Sequence, residues 1–227
     1  RVLVALATGA APSREPAHRA LAAVWAPGHR HAPDLIRRAL VLIADHELNA
    51  STFAARVAVS TGASIYDALA AGLATLKGAR HGGASARAAR FVAALSLDDP
   101  GKAIKELRVQ GERLPGFGHP LYRAADPRAV AMLAALEAAG ADTRLTRGVV
   151  KSAYDIAGVD PNIDYAFGVL SHHLGLPATA GMTLFAIGRT AGWVAHAIEQ
   201  RATNQLIRPR ARYTGPAPRM AASTNAP

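Results

Sequence analysis

Apolar residues recur three and four apart along almost the whole chain, and glycine or proline interrupts that pattern about once per short helix. Such a pattern has one economical solution, a set of short helices burying one face each, so the sequence predicts an all-α protein. Asp34, after Pro33, is read as capping a stretch in which Leu35, Ala39, Leu42 and Ile43 share a face. Helical segments are expected after His46–Ser51 as far as Thr61, over 64–77, and from Ala84 to Leu95 beyond the glycine-rich break Gly78–Gly83. Asp98-Asp99-Pro100 and Asp126-Pro127 each supply an N-cap with proline at the first helical position. Further segments are read at Thr143–Ala157 and from Pro161-Asn162 to Gly175. The longest runs over Ala178–Gln200, with Leu184, Ile187, Ala191, Val194 and Ile198 as its packing seam. The stretch Gly111–Ala125 stands apart, since Pro115, Gly116, Gly118 and Pro120 force a loop of unusual backbone path. Strand signals are weak everywhere, the nearest being Arg212-Tyr213, and Thr214–Pro227 reads as a flexible tail.

Composition narrows the function. With 227 residues, half of them hydrophobic, the chain can bury a substantial core. No run of 18 apolar residues occurs, so no membrane span is expected, and nothing points outside the cytoplasm. Val2–Ala7 is too short for a signal-peptide core. Because Arg1 is not an initiator methionine, the chain is expected to be trimmed at its start. The absence of cysteine removes thiolate nucleophiles and cysteine-type zinc sites. A net charge of +10 fits either nucleic acid or small polyanions held by arginines. With no nucleic-acid motif and only 5% aromatic residues, small anions rank first.

Three histidines lie at helix boundaries: His46 in Ala44–Thr52, His81 in Gly78–Ala84, and His119 in Leu-Pro-Gly-Phe-Gly-His-Pro-Leu-Tyr, 114–122. Singly, each is best explained as a hydrogen-bonded structural histidine. Together, with glycine around two of them, they point to a site, because glycine lets backbone approach a ligand closely. Asp164 falls in the first turn of its helix, where stabilising the helix dipole is a sufficient explanation by itself. Arg128 and Arg208 could be solvated, whereas Arg189, inside an apolar helix, needs an anion or acceptor. The adjacent His172-His173 is read as lying on or near the surface, and no histidine spacing suggests a metal.

The blocks Ala44–Thr52, Gly78–Ala84, Leu114–Arg128, Pro161–Asp164 and Phe185–Gly215 resemble, in order, the signature blocks of the citrate synthase family. Gly116-Phe117-Gly118-His119, with Tyr122 and Asp126-Pro127-Arg128, is the most specific of them. The resemblance implies a multi-helical fold with a large helical domain over 1–213 and a smaller lobe at roughly 84–180. It implies condensation of acetyl-CoA with oxaloacetate in the tricarboxylic acid cycle, by a homodimer with the CoA thioester as co-substrate and no metal. On that resemblance His81 hydrogen-bonds the thioester oxygen, Asp164 removes the methyl proton, His119 polarises the ketone and His46 helps bind the oxo acid. Arg128, Arg189 and Arg208 are similar to the family's carboxylate-binding arginines, Arg208 serving a neighbouring subunit. Gly116, Phe117, Gly118 and Arg123 resemble its CoA-binding loop. The residue types suit this chemistry: a thioester methyl is too weak an acid for a carboxylate alone, so base and hydrogen-bond donor must act together.

Ser85 and Arg80 stand where the family usually has asparagine and an apolar residue, and only 45 residues precede His46 where relatives carry a substantial helical region. Three readings compete with citrate formation: 2-methylcitrate formation from propionyl-CoA, a non-catalytic subunit that binds CoA or oxo acid, and, more distantly, nucleic-acid binding. Citryl-CoA cleavage is disfavoured by the synthase-like block at 114–128.

Overall fold

Residues 1–79, 81–177 and 179–216 are described by a computed structural model. In chain order the helices are α1 (Val2–Thr8), α2 (Ala17–Trp25), α3 (Ala32–Leu42), α4 (Ala50–Ser60), α5 (Ile65–Leu76) and α6 (Gly83–Ala94). There follow α7 (Pro100–Val109), α8 (Pro127–Ala138), α9 (Val149–Ala157), α10 (Ile163–Leu174) and α11 (Ala180–Thr203), with a π-helical turn at Arg144–Gly148 leading into α9. No strand occurs among the described residues; one isolated bridge joins Phe117 to Pro161. The architecture is all-α, as the spacing predicts. Residues around Arg212-Tyr213 are irregular and exposed. Of the tail expected at 214–227, residues 217–227 lie outside the described residues, as does Ala178, the expected start of the longest helix.

The helix starts follow local chemistry. Asn49 accepts from the Thr52 N–H, Asp99 from Lys102, Asp126 from Arg128 and Asn162 from Asp164, while Ser64 and Asp67 form a reciprocal capping box. Gly158 and Gly175 end α9 and α10 in the left-handed conformation. Two expectations need correcting. Asp34 does not cap: α3 begins before it, and its carboxylate pairs with Arg37 and Arg38 one turn on. The seam of α11 is also rotated. Ala191 and Ile198 are exposed, and the buried stripe carries Gly181, Leu184, Gly188, Arg189, Gly192 and Trp193. The physical reason is close backbone approach. A Cβ on Gly192 would stand 2.3 Å from the Ala44 carbonyl, and one on Gly188 would stand 2.7 Å from Ile43.

Two groups of helices result. The α4–α5 hairpin packs on α11, which also meets α3, and the Trp193 ring fills the notch over Gly72. Against this group lies α10, buried along nearly its whole length and packed on α6 and α8. The irregular segments 44–49 and 114–126, and residues 81–82 before α6, all lead into the seam between them.

Candidate active site

At that seam a cavity of about 320 Å³ is lined by His46, His81, Gly118, His119, Arg128, Asp164 and Arg189, with Asn49, Asn162 and Phe185 among their neighbours. Six of the seven catalytic and oxo-acid residues expected from the sequence therefore meet in one place. Arg208 does not: it is exposed beyond α11 and lines no described cavity. Arg123 is likewise exposed. Phe117, Gly118 and His119 also line a larger cavity of about 630 Å³ against α7, next to Arg108 and Arg113. Gly116 is turned inward instead. With φ of 82° and a Cβ position 2.8 Å from the Tyr165 backbone, no other residue fits there without strain.

The loop carrying His119 is stapled to the turn carrying Asp164. Asn162 N–H donates to the Gly116 carbonyl at 2.9 Å, Gly118 N–H to Asp160 at 2.8 Å, and Asn162 Nδ2 to the Gly118 carbonyl at 2.8 Å. The Phe117 ring packs against Tyr165, centroids 4.7 Å apart and planes inclined at 50°. His119 Nδ1 accepts the Leu121 N–H at 3.1 Å, so a neutral ring carries its proton on Nε2 as a donor. Burial, then the Arg128 charge, lowers its pKa. His46 lies 3.0 Å from the Tyr122 hydroxyl, and burial followed by Arg128, Arg189 and His119 lowers it to about 4. Both imidazoles are neutral at neutral pH.

His81 is held from behind. Its Nε2 lies 2.9 Å from the Ser51 hydroxyl, which accepts the Trp193 indole N–H at 3.2 Å and donates to Asn49 Oδ1 at 2.8 Å. Serine has one proton to give: while it is on Asn49 Oδ1 the His81 ring proton is on Nε2 and donates to the serine, and if it turns to His81 Nε2 the ring proton sits on Nδ1. Burial, then Arg189, lowers the His81 pKa.

The charged groups fall into two kinds. Arg128 is forked onto the buried Asp126 (Nε–Oδ1 3.0 Å, NH2–Oδ2 2.8 Å), and Asp126 also accepts the Ile163 N–H at the start of α10. Burial works to raise Asp126, but Arg128 and these N–H groups outweigh it and hold the carboxyl below its ordinary range. Arg189, only 1% exposed, has no such partner among the described residues: Nε donates to the Ile43 carbonyl at 2.7 Å and the guanidinium lies against Phe185. Burial, then Arg128, lowers it to about 10, so it remains a cation facing the cavity. Asp164 departs in the other direction. Burial raises its pKa and outweighs the opposing hydrogen bond from Ser85 and the charge of Arg128.

The arrangement thus offers neutral imidazole donors, one carboxyl poised as a base and a guanidinium awaiting an anion. Sequence reasoning missed Asn49, Ser51 and Trp193 as supports of His81, and took Asp126 for a helix start alone. Among the described residues no group of three or more metal-ligating side chains could hold a metal ion, and no helix is long and apolar enough to cross a membrane.

Known proteins resemble this chain along most of its length. The family model for the citrate synthase C-terminal domain matches residues 7–210. The citrate synthase of Haloferax volcanii is 40% identical over 185 residues, covering 78% of this chain and 49% of that protein. The chain thus spans about half the length of the curated relatives it matches. Citrate synthase from Thermotoga maritima superposes with a TM-score of 0.77 at 29% identity, over 96% of this chain and 64% of its own. Citryl-CoA lyase from Hydrogenobacter thermophilus gives 0.78 at 25% identity, over 97% and 90%.

Proposed function

This chain belongs to the citrate synthase family, and we propose that it condenses the acyl group of acetyl-CoA with oxaloacetate, giving citrate and CoA. The convergence of His81, His119, Asp164 and the buried Arg189 on one cavity carries the reading. Asp164 takes a proton from the thioester methyl while His81 gives a hydrogen bond from Nδ1 to the thioester oxygen as charge builds there, the Ser51 hydroxyl turning its one proton from Asn49 Oδ1 to His81 Nε2. The enol carbon attacks the ketone of the oxo acid, whose oxygen receives a proton from His119 Nε2. Arg189, Arg128 and His46 hold the oxo-acid carboxylates, fixing the ketone beside the enol. Water then cleaves the citryl thioester and frees the CoA thiol. The neighbouring cavity along Phe117, Gly118 and α7 is where the CoA moiety extends, with Arg108 and Arg113 as cations for its phosphates. Arg123 and Arg208, exposed outside the cavity, are assigned to CoA phosphates and to the site of a second copy in a homodimer.

A second reading comes from structural likeness: citryl-CoA lyase from Hydrogenobacter thermophilus superposes on this chain as well as the citrate synthase does. The same residues would then break the carbon–carbon bond of citryl-CoA without hydrolysing the thioester. Incubation with acetyl-CoA or propionyl-CoA and a panel of 2-oxo acids, following both thiol release and carbon–carbon bond formation, separates the readings. Thiol release with oxaloacetate supports the synthase, and its rate with propionyl-CoA tells whether the extra methylene is accepted. Citryl-CoA formed without thiol release supports the lyase. Neither product, from a folded chain, overturns both.

A further inference from the structure

Asp164 sits at the second position of α10, and the side chain that touches its carboxylate comes from another helix. Ser85, third residue of α6 and 1% exposed, donates its hydroxyl to Asp164 Oδ1. No other acceptor for that hydroxyl occurs among the described residues. Packing holds the serine in place on two sides. A Cβ on Gly181 of α11 would lie 3.2 Å from the Ser85 Cβ, and α6 and α10 approach so closely that a Cβ on Gly168 would lie 3.0 Å from the Ala88 carbonyl. Space at this junction requires a small side chain, which alanine would satisfy equally well. The hydroxyl is therefore an addition that packing does not need, and it is aimed at a carboxylate.

We propose that Ser85 is a positioning residue for Asp164, holding Oδ1 against α6 so that Oδ2 alone is presented to the acidic C–H of the acyl thioester. Oδ2 receives no hydrogen bond from any described residue, and Asp164 lines the cavity whereas Ser85 does not. One oxygen is anchored and one is free, which fixes the direction from which a proton can be taken. The hydroxyl also favours the ionised carboxyl against its burial. Ser85 thus acts twice, aiming the base and opposing the rise in its pKa. The assignment rests on the condensation proposed above, and one of its tests does not.

The experiment compares wild type with Ser85→Ala and the near-isosteric Ser85→Cys. Carboxyl-labelled NMR follows the titration of Asp164 directly, and turnover is measured across pH. Losing the hydroxyl should move the Asp164 titration and the acid limb of turnover to higher pH. It should lower kcat roughly tenfold, the scale of one charge-assisted hydrogen bond, and change KM for the oxo acid by less than about twofold. In an Asp164→Asn background, Ser85→Ala should have no further effect on residual turnover. An unmoved Asp164 titration in a folded variant overturns the proposal, as does an equal fractional loss in the Asp164→Asn background. Failure of both Ser85 variants to fold would make it a packing residue and overturn it as well. A wild-type chain without turnover sinks the condensation, and the titration, which needs no turnover, still decides the role of Ser85.

Discussion

At the scale of single residues, the direction of a pKa separates a base from a helix stabiliser. An acid placed in a first turn to complement the helix dipole has its ionised form favoured and its pKa lowered. That of Asp164 is raised, so its ionised form is held at a cost in stability. Asp164→Asn is expected to lower turnover by about 10²-fold or more, leave oxo-acid affinity nearly unchanged, and not reduce the melting temperature. A helix-stabilising acid would behave oppositely on every count, losing roughly 0.3–1 kcal/mol of stability with activity per folded molecule intact. Arg189 gives the complementary outcome. Its cation is buried with a backbone carbonyl and an aromatic face but no carboxylate among the described residues, so the free protein holds it at a cost that a bound anion offsets. Arg189→Gln should weaken oxaloacetate binding by about 2–5 kcal/mol in titration calorimetry without lowering thermal stability. Unchanged affinity would remove Arg189 from the site.

At the scale of elements, the site is assembled by close approaches rather than by any one helix. The glycine stripe of α11 lets it touch the segment before His46, where Gly192 N–H donates to the Ala44 carbonyl at 3.0 Å. Asp45 accepts a hydrogen bond from His196 of the same helix at 3.1 Å. A methyl at Gly192 has nowhere to go, since it meets backbone rather than the end of a flexible side chain. Gly192→Ala should cost about 1–3 kcal/mol by overpacking and displace His46, so KM for the oxo acid rises more than kcat falls. Denaturant melts and steady-state kinetics on the same preparation check both halves. A methyl tolerated without loss of stability would show that α11 and the 43–46 segment are not packed this closely.

At the scale of the whole molecule, three neutral histidines and two arginines share one cavity, and this sets the response to acid. His46, His81 and His119 all have pKa values below the ordinary histidine value of 6.5, His46 at about 4. Between 6.5 and those lower values the unfolded chain binds protons that the folded chain does not. Stability is therefore complete above about pH 6.5 and falls as pH drops toward 4. Asp164 works in the opposite sense above its unfolded pKa, whereas His18 and His173, also lowered by burial, add to the decline. The melting temperature should decline across that window, and His46→Gln should flatten part of the decline. A melting temperature independent of pH between 6.5 and 4 would show that the three rings are not buried in neutral form.

The division between what sequence and tertiary structure each determine follows from the range of the forces involved. Helical period, helix starts at Asp99, Asp126 and Asn162, and the breakers of 111–125 act within a few residues, so the all-α class and most helix boundaries were legible from the chain alone. The motif blocks likewise pointed to His46, His81, His119, Arg128, Asp164 and Arg189. Periodicity shows that a helix has a buried face but not which neighbour covers it. It therefore placed the seam of α11 on Ala191 and Ile198, where the structure buries the stripe through Gly181, Gly188 and Gly192. It was silent on the short helices α1 and α2, whose apolar patterns are brief. The pairings that tune the site lie far apart in sequence: Ser51 with His81 and Trp193, Ser85 with Asp164, and the Gly116–Gly118 backbone with Asp160–Asn162. Hydrogen bonds act over about 3 Å of space whatever the separation along the chain. Which donor met which acceptor was decided only when the helices packed.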